Sequence, residues 1–187
     1  MRKLNAFLFI SLNGMYKGAN EDTSWHGHGE EEGTYSEQQL AKNNILLFGR
    51  TTYEMMYDFW PGALAAGLFP EVGEKINKAE KIVFSTTLKN AAWQNTRVMN
   101  GDIVKQIAAL KKTEGKDLTI LGSGSILSLF SEAGLLDELE MMIDPVVLAK
   151  GTPLFTGITK DLRLKLMDSR IFKKSGVILL KYKNAGQ

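Results

Sequence analysis

Ile45-Leu46-Leu47-Phe48-Gly49-Arg50-Thr51-Thr52 decides how the chain is read. Four successive apolar residues with no polar interruption are the pattern of a strand buried on both faces. Gly49 breaks the run, and two hydroxyl residues lead into Thr51–Phe59. There Tyr53, Met56 and Tyr57 recur on one face at helical spacing. Strand, glycine turn and helix together form half of a crossover unit, which implies parallel pairing. The turn also has the chemistry of an anion site. Gly49 lets a ligand approach the backbone, the helix start offers N–H groups and partial positive charge, and Arg50 adds a forked cationic donor. The plainer reading makes Thr51 or Thr52 an N-cap and leaves Arg50 in solvent.

The same alternation runs outward from this unit. Leu4–Leu12 is a buried strand. Residues 14–33 read as a long polar loop with glycines at 14, 18, 27, 29 and 33, both histidines, Trp25 and the run Glu30-Glu31-Glu32. Ser36–Asn43 reads as a short helix capped by Ser36. Lys81–Phe84 is a strand stopped by Ser85-Thr86-Thr87. Asp102 caps a helix through Lys112 with Ile103, Ile107 and Leu110 on one side. Asp117–Leu121 is a strand, Ser125–Ala133 a helix, and Leu139–Leu148 a strand interrupted by Pro145. Leu162–Ile171 and Val177–Tyr182 flank the turn Lys173-Lys174-Ser175-Gly176 and form a hairpin. The predicted fold class is α/β: a central mixed, mostly parallel sheet of about eight strands with flanking helices and a C-terminal antiparallel hairpin.

Composition narrows the function. The 187 residues fit a single domain over 1–187. With no cysteine, disulfides, thiolate metal sites and thiol nucleophiles are excluded. The 23 basic and 21 acidic residues leave a formal charge of +2, which gives no electrostatic case for nucleic acid. No apolar run reaches the roughly 20 residues of a membrane helix. The short apolar core after Met1-Arg2-Lys3 is interrupted by Asn5 and lacks a clean small-residue cleavage site, so a mature chain is expected. A cytoplasmic chain acting on a small molecule, without nucleic acid or membrane as partner, is expected.

Two further strand ends resemble the Gly49 turn. Leu121-Gly122-Ser123-Gly124-Ser125-Ile126 is strand, flexible turn and helix, yet it has neither the lysine of a Walker loop nor Rossmann glycine spacing. Ser85-Thr86-Thr87 offers hydroxyls that either bind phosphate or terminate a strand. Three such turns at one sheet edge suit an extended ligand with several phosphates, such as an adenine dinucleotide.

These residues carry a family likeness. The chain resembles the dihydrofolate reductase-like superfamily. Within it, the chain is similar to the branch typified by the reductase domain of the bifunctional riboflavin-biosynthesis deaminase-reductase. The likeness rests on Ser11-Leu12-Asn13-Gly14, Leu47 to Tyr53 and Leu121-Gly122-Ser123-Gly124-Ser125. It also rests on Gly134-Leu135-Leu136-Asp137-Glu138-Leu139, Pro145-Val146-Val147-Leu148 and Gly151-Thr152-Pro153-Leu154-Phe155, in order over nearly the whole chain. It implies NADPH as hydride donor. Gly49, Arg50, Thr51 and Thr52 would lie at its phosphates and Ser85 and Thr86 near the adenosine 2′-phosphate. Gly122, Ser123, Gly124, Ser125 and Ile126 would hold the pyrophosphate and nicotinamide half. It further implies a homodimer and, by analogy with dihydrofolate reductases, a cis peptide at Gly122-Ser123.

The chain departs from the pattern in two places. Asn13 stands where this branch commonly has Asp. The buried carboxylate that dihydrofolate reductases place on the first helix falls between Glu30 and Gly33. The triplet there reads first as a solvated loop, and second as Glu30, Glu31 or Glu32 standing in for that acid. Asn13, Glu30 and Trp25 are the catalytic candidates. Trp25 either covers the substrate or pins its loop. His26-Gly27-His28 beside the glutamates reads as polar loop, and no metal is expected. The apolar stretch Ala63–Phe69 after Phe59-Trp60-Pro61-Gly62 is read as core or interface. Asp137 and Glu138 are read as strand-start residues, and Met141-Met142 as core filler. A ribosylaminopyrimidine-type reductase is the expected activity. A folate or pterin reductase and a nucleotide-binding protein without turnover are the alternatives.

Overall fold

The computed structural model describes residues 1–27 and 29–186. His28, half of the His-Gly-His reading, lies outside them. The chain folds as two compact units: Met1–Arg2 with Glu30–Thr119, and Lys3–Gly29 with Ile120–Gln187. Strands β1 (Leu4–Ser11), β3 (Ile45–Gly49), β4 (Lys81–Phe84), β5 (Thr96–Met99), β6 (Leu118–Leu121), β7 (Glu138–Asp144), β9 (Leu164–Ile171) and β10 (Ile178–Asn184) form one sheet. Their order is β5-β4-β3-β6-β1-β7-β10-β9. Strands β2 (Met15–Gly18) and β8 (Gly151–Pro153) form a separate antiparallel pair.

In the first unit, β3 pairs parallel with β4, and β4 parallel with β5. Leu46, Leu47 and Phe48 of β3 and Ile82 and Val83 of β4 are fully buried, so their apolar runs are continuous rather than alternating. Helix α2 (Arg50–Phe59) follows β3 directly and buries Thr52 and Tyr53. Helices α3 (Ala63–Leu68) and α4 (Pro70–Lys78) follow. The apolar stretch after Gly62 is therefore helical. Ala65 is its buried residue, while Leu64 and Leu68 are exposed. Helix α5 (Ile103–Lys111) starts as expected, with the Asp102 carboxylate accepting from Lys105 N at 3.0 Å.

Several expectations for residues 14–43 are corrected. Residues 14–33 are not one loop: they contain β2 and a single 3₁₀ turn at Ala19–Glu21. Helix α1 begins at Glu30 and runs to Ala41, so Ser36 sits inside it and caps nothing. Three glutamates in a first turn are favoured by the helix dipole, and this outweighs the glycines at 29 and 33. Strand β7 ends at Asp144, before Pro145.

In the second unit, β1 runs parallel to β7, with Leu8 opposite Met141, and β10 pairs antiparallel with β7 and with β9. Phe130 and Leu127 of α6 (Gly124–Glu132), with Leu4, Leu139, Met142, Phe172 and Val177, are among its fully buried apolar residues. Asp137 ties three strands together at one end. Its carboxylate accepts from Leu4 N at 2.7 Å, its N–H donates to Leu4 O, and its carbonyl accepts from Asn184 N, both at 2.9 Å. Its role is structural, as read from the sequence. Asp137→Ala leaves the N–H of fully buried Leu4 without its acceptor, an expected loss of about 1–3 kcal/mol of unfolding free energy. Denaturant melts check this, with Asp137→Asn, which keeps an acceptor oxygen, losing less.

A lysine ammonium is enclosed in the first unit. Lys81, 1% exposed, donates from Nζ to Ala79 O (2.7 Å), Asn77 O (3.0 Å) and Gln94 O (3.3 Å), and lies 4.5 Å from the centre of the Trp93 ring. The carbonyls of Asn77 and Ala79 belong to the end of α4 and the residue following it, where cations are favoured. Burial lowers the pKa of this ammonium from 10.5 to about 8. The unfolded chain therefore binds more protons between pH 8 and 10.5, and stability rises with pH across that window; below it the penalty is constant. The unfolding free energy of the wild type relative to that of Lys81→Met should rise by about 1–3 kcal/mol across that range. Chemical denaturation at several pH values measures it, and a flat difference contradicts the assignment.

Candidate functional site

The turns singled out in the sequence form as strand–glycine–helix junctions. Gly49, in extended conformation, is the N-cap of α2, and no side chain caps the helix. Thr51 and Thr52 thus lie within the first turn rather than at the cap, Thr51 exposed and Thr52 buried. The first-turn N–H groups carry no side-chain cap. Arg50 is half exposed and reaches Glu54 at 3.4 Å across one helical turn, a weak surface pair. Gly49 stands opposite Phe84 in the parallel ladder, so the Arg50 turn and the Ser85 turn leave neighbouring strands side by side. Ser85 Oγ accepts from Leu88 N (2.9 Å) and Thr87 N (3.2 Å), which shapes that turn, and Thr86 is exposed.

In the second unit, Gly122 has φ +65°, a conformation that favours glycine, and its N–H donates to Phe7 O at 3.1 Å. Ser123, almost fully buried, is the N-cap of α6, again without a side-chain cap. Ser125 is exposed and Ile126 buried. A Cβ at Gly124 would lie 2.6 Å from two ring carbons of buried Tyr16, so the ring of β2 excludes a side chain there. The expected cis peptide is absent: no cis bond occurs among the described residues, and Gly122-Ser123 is trans.

Asn13, where the resemblance led one to expect Asp, is held by three hydrogen bonds. The amide Nδ2 donates to Leu148 O (2.9 Å) while Oδ1 accepts from Leu148 N (3.1 Å) and from Ser11 Oγ (2.7 Å). A carboxylate could not supply the donor. Leu12 N also donates to Val146 O at 2.8 Å, so the segment after β7 is clamped to the turn after β1. This presents Leu12 and Val147 to solvent, an apolar pair of residues that periodicity alone did not mark.

The acidic triplet divides. Glu30 is exposed and Glu31 partly so, whereas Glu32 is only 2% exposed. A buried carboxylate in the first turn of α1 thus occurs where the resemblance called for one, two residues beyond the candidate Glu30 and in a helix instead of a solvated loop. Trp25 is pinned: its indole N–H donates to Asp22 O at 3.0 Å, and its ring meets His26 edge-on, while His26 stacks on Phe9. Sequence reading missed Asp144, buried at the end of β7, whose carboxylate accepts from Gly27 N and anchors this loop. Among the described residues no cluster of three or more His, Asp or Glu residues has metal-binding geometry, and no helix is long and apolar enough to cross a membrane.

Comparison with known proteins places this geometry. The RibD C-terminal domain family model matches residues 2–178. The uncharacterized protein YyaP of Bacillus subtilis (strain 168) is 29% identical over 181 residues, covering 97% of this chain and 94% of YyaP. Among solved structures, a pyrimidine reductase-like protein from Corynebacterium diphtheriae superposes with a TM-score of 0.70 at 17% identity, covering 100% of this chain and 93% of that one. Dihydrofolate reductase from Enterococcus faecalis, solved in complex with NADP(H), superposes with a TM-score of 0.64 at 17% identity, covering 98% and 96%. The chain therefore belongs to the RibD C-terminal domain family and has the dihydrofolate reductase-like fold.

Proposed function

We propose that this chain is a cytoplasmic NADPH-dependent reductase of a small planar heterocycle, with chemistry like the ribosylaminopyrimidine reduction of riboflavin biosynthesis. The observation that carries the reading is the match of the RibD C-terminal family over residues 2–178, with which the glycine turns agree. Helix α5 is capped by its own Asp102, whereas α2 and α6 follow glycine turns and, like α3 and α4, have no side-chain cap. Uncapped first-turn N–H groups beside glycines fit phosphate oxygens. In a RibD C-terminal family member they fit a dinucleotide.

In this reading Arg50 and the N–H groups of Thr51 and Thr52 hold cofactor phosphate, with Ser85 and Thr86 at the adenosine 2′-phosphate. The Gly122–Ile126 turn holds the pyrophosphate and nicotinamide half. Bound NADPH supplies the hydride, and the protein positions it. Glu32, enclosed on α1, accepts a hydrogen bond from a ring N–H of the heterocycle and orients it. Asn13 keeps the Leu12 turn in place rather than serving as an acid. The buried carboxylate on the first helix specifically favours a pterin as the alternative acceptor.

Loss of reduced-nicotinamide absorbance against a panel of ribosylaminopyrimidines and pterins tests the activity; NADPH binding with no turnover on any of them contradicts a reductase. Arg50→Ala should weaken NADPH binding by about 1.5–3 kcal/mol, roughly 10- to 150-fold, the value of a charge-assisted hydrogen bond. Unchanged affinity in calorimetry removes Arg50 from the phosphate site. Glu32→Gln should lower kcat/KM for the heterocycle by at least about tenfold while NADPH affinity stays within about twofold. Full activity in the variant would leave Glu32 a merely structural acid.

A further inference from the structure

Two asparagines precede a glycine, Asn13 before Gly14 and Asn100 before Gly101, and the fold treats them differently. In such a pair the glycine nitrogen has no Cβ beside it to hinder attack on the asparagine side chain, and asparagine is a thermolabile residue. The first pair is held. Both polar atoms of the Asn13 amide are engaged with Leu148 and Ser11, and Gly14 N donates to Ser11 O at 2.9 Å. The second pair is free at the atoms that matter. Asn100 and Gly101 are exposed in the turn between β5 and α5. Among the described residues neither the Asn100 side-chain amide nor the Gly101 N–H has a hydrogen-bond partner. The turn is anchored through its carbonyls instead: Gln106 Nε2 donates to Asn100 O at 2.5 Å, and Ile103 N to Gly101 O at 2.9 Å. A Cβ at Gly101 would meet nothing closer than Gln106 Nε2 at 3.9 Å, so the turn is uncrowded.

We propose that Asn100-Gly101 is a self-modifying site, where the asparagine is converted to isoaspartate and aspartate while Asn13 is spared. Gly101 N attacks Asn100 Cγ. The new C–N bond closes a cyclic imide, the bond from Cγ to the side-chain nitrogen breaks, and that nitrogen leaves as ammonia with the proton Gly101 gave up. Water then opens the imide at either carbonyl and leaves a carboxylate. Nothing is oxidised or reduced. Opening at the former Asn100 backbone carbonyl routes the main chain through the side chain, and so lengthens it by a carbon just before Asp102, the N-cap of α5. Either product places a new negative charge next to the Ser85 turn. Phe84 stands opposite Met99 in the parallel ladder, and Ser85 N donates to Met99 O at 3.1 Å, one residue before Asn100. The modification does not rest on the reductase reading. Its effect on the cofactor does, because that reading puts the adenosine 2′-phosphate at Ser85 and Thr86. Like charges repel there, so conversion weakens NADPH binding and spares NADH, which lacks that phosphate.

Peptide mapping of the folded protein, aged in mildly alkaline buffer, tests the site. The mass gain of amide-to-acid conversion should appear at Asn100 at least about tenfold faster than at Asn13. An isoaspartate-specific methyltransferase should label the same peptide. Asn100→Gln, whose longer side chain closes the ring poorly, should show neither signal there. Circular dichroism confirms that aged and fresh protein share one fold. In calorimetry the aged wild type should bind NADPH at least about threefold more weakly than the fresh protein, with NADH affinity within about twofold. Aged Asn100→Gln should keep its fresh affinity. An intact Asn100 overturns the modification site, as does conversion at Asn13 at an equal rate. Full NADPH affinity in converted protein overturns the coupling to the Ser85 turn. Fresh protein that binds no NADPH overturns the cofactor reading and the coupling with it, while the peptide map judges the modification independently.

Discussion

The structure depends on satisfying polar groups at the ends of strands that are themselves buried. Where β1 begins, β7 begins and β10 ends, a single aspartate supplies carboxylate, N–H and carbonyl to two neighbouring strands. At the start of β4, the Lys81 ammonium is surrounded by three carbonyl oxygens and an indole ring. Neither arrangement belongs to the turns proposed to hold the cofactor. Each allows a continuous apolar run to lie inside the protein without an unpaired group at its end, and so frees the opposite strand ends to carry exposed turns.

Those turns differ in how their helices are capped. Gly49, Ser123 and Asp102 all stand at helix starts, but only Asp102 commits a side chain to its helix. Helices α2 and α6 receive no hydrogen bond from the side chain of their N-cap residue. By contrast, the turn after β1 is internally satisfied. Asn13 binds the backbone of Leu148 in both directions, so the substitution of an amide for an acid stabilises a loop junction.

Much of this was legible in the sequence because it is local. Buried strands announce themselves as uninterrupted apolar runs, as in β3 and β4, and the Asp102 cap and the hairpin turn follow from residues a few positions apart. Strands β2, β5 and β8 are three or four residues long and lack the continuous apolar run that marks β4 at the same length. The first turn of α1 was hidden by flanking glycines, and with it the burial of Glu32. The role of Asn13 depends on a partner 135 residues away, which no local pattern encodes. The Gly122 turn was recognised, but its trans peptide follows from the backbone and not from the residue types.

The contact between Gly124 and the Tyr16 ring ties a short peripheral strand to the start of a helix. Two positions 108 apart in number thereby share one allotment of space. Among relatives of this chain, a bulkier residue at the first should travel with a smaller one at the second. The side-chain volumes at the two positions are thus coupled through one shared space.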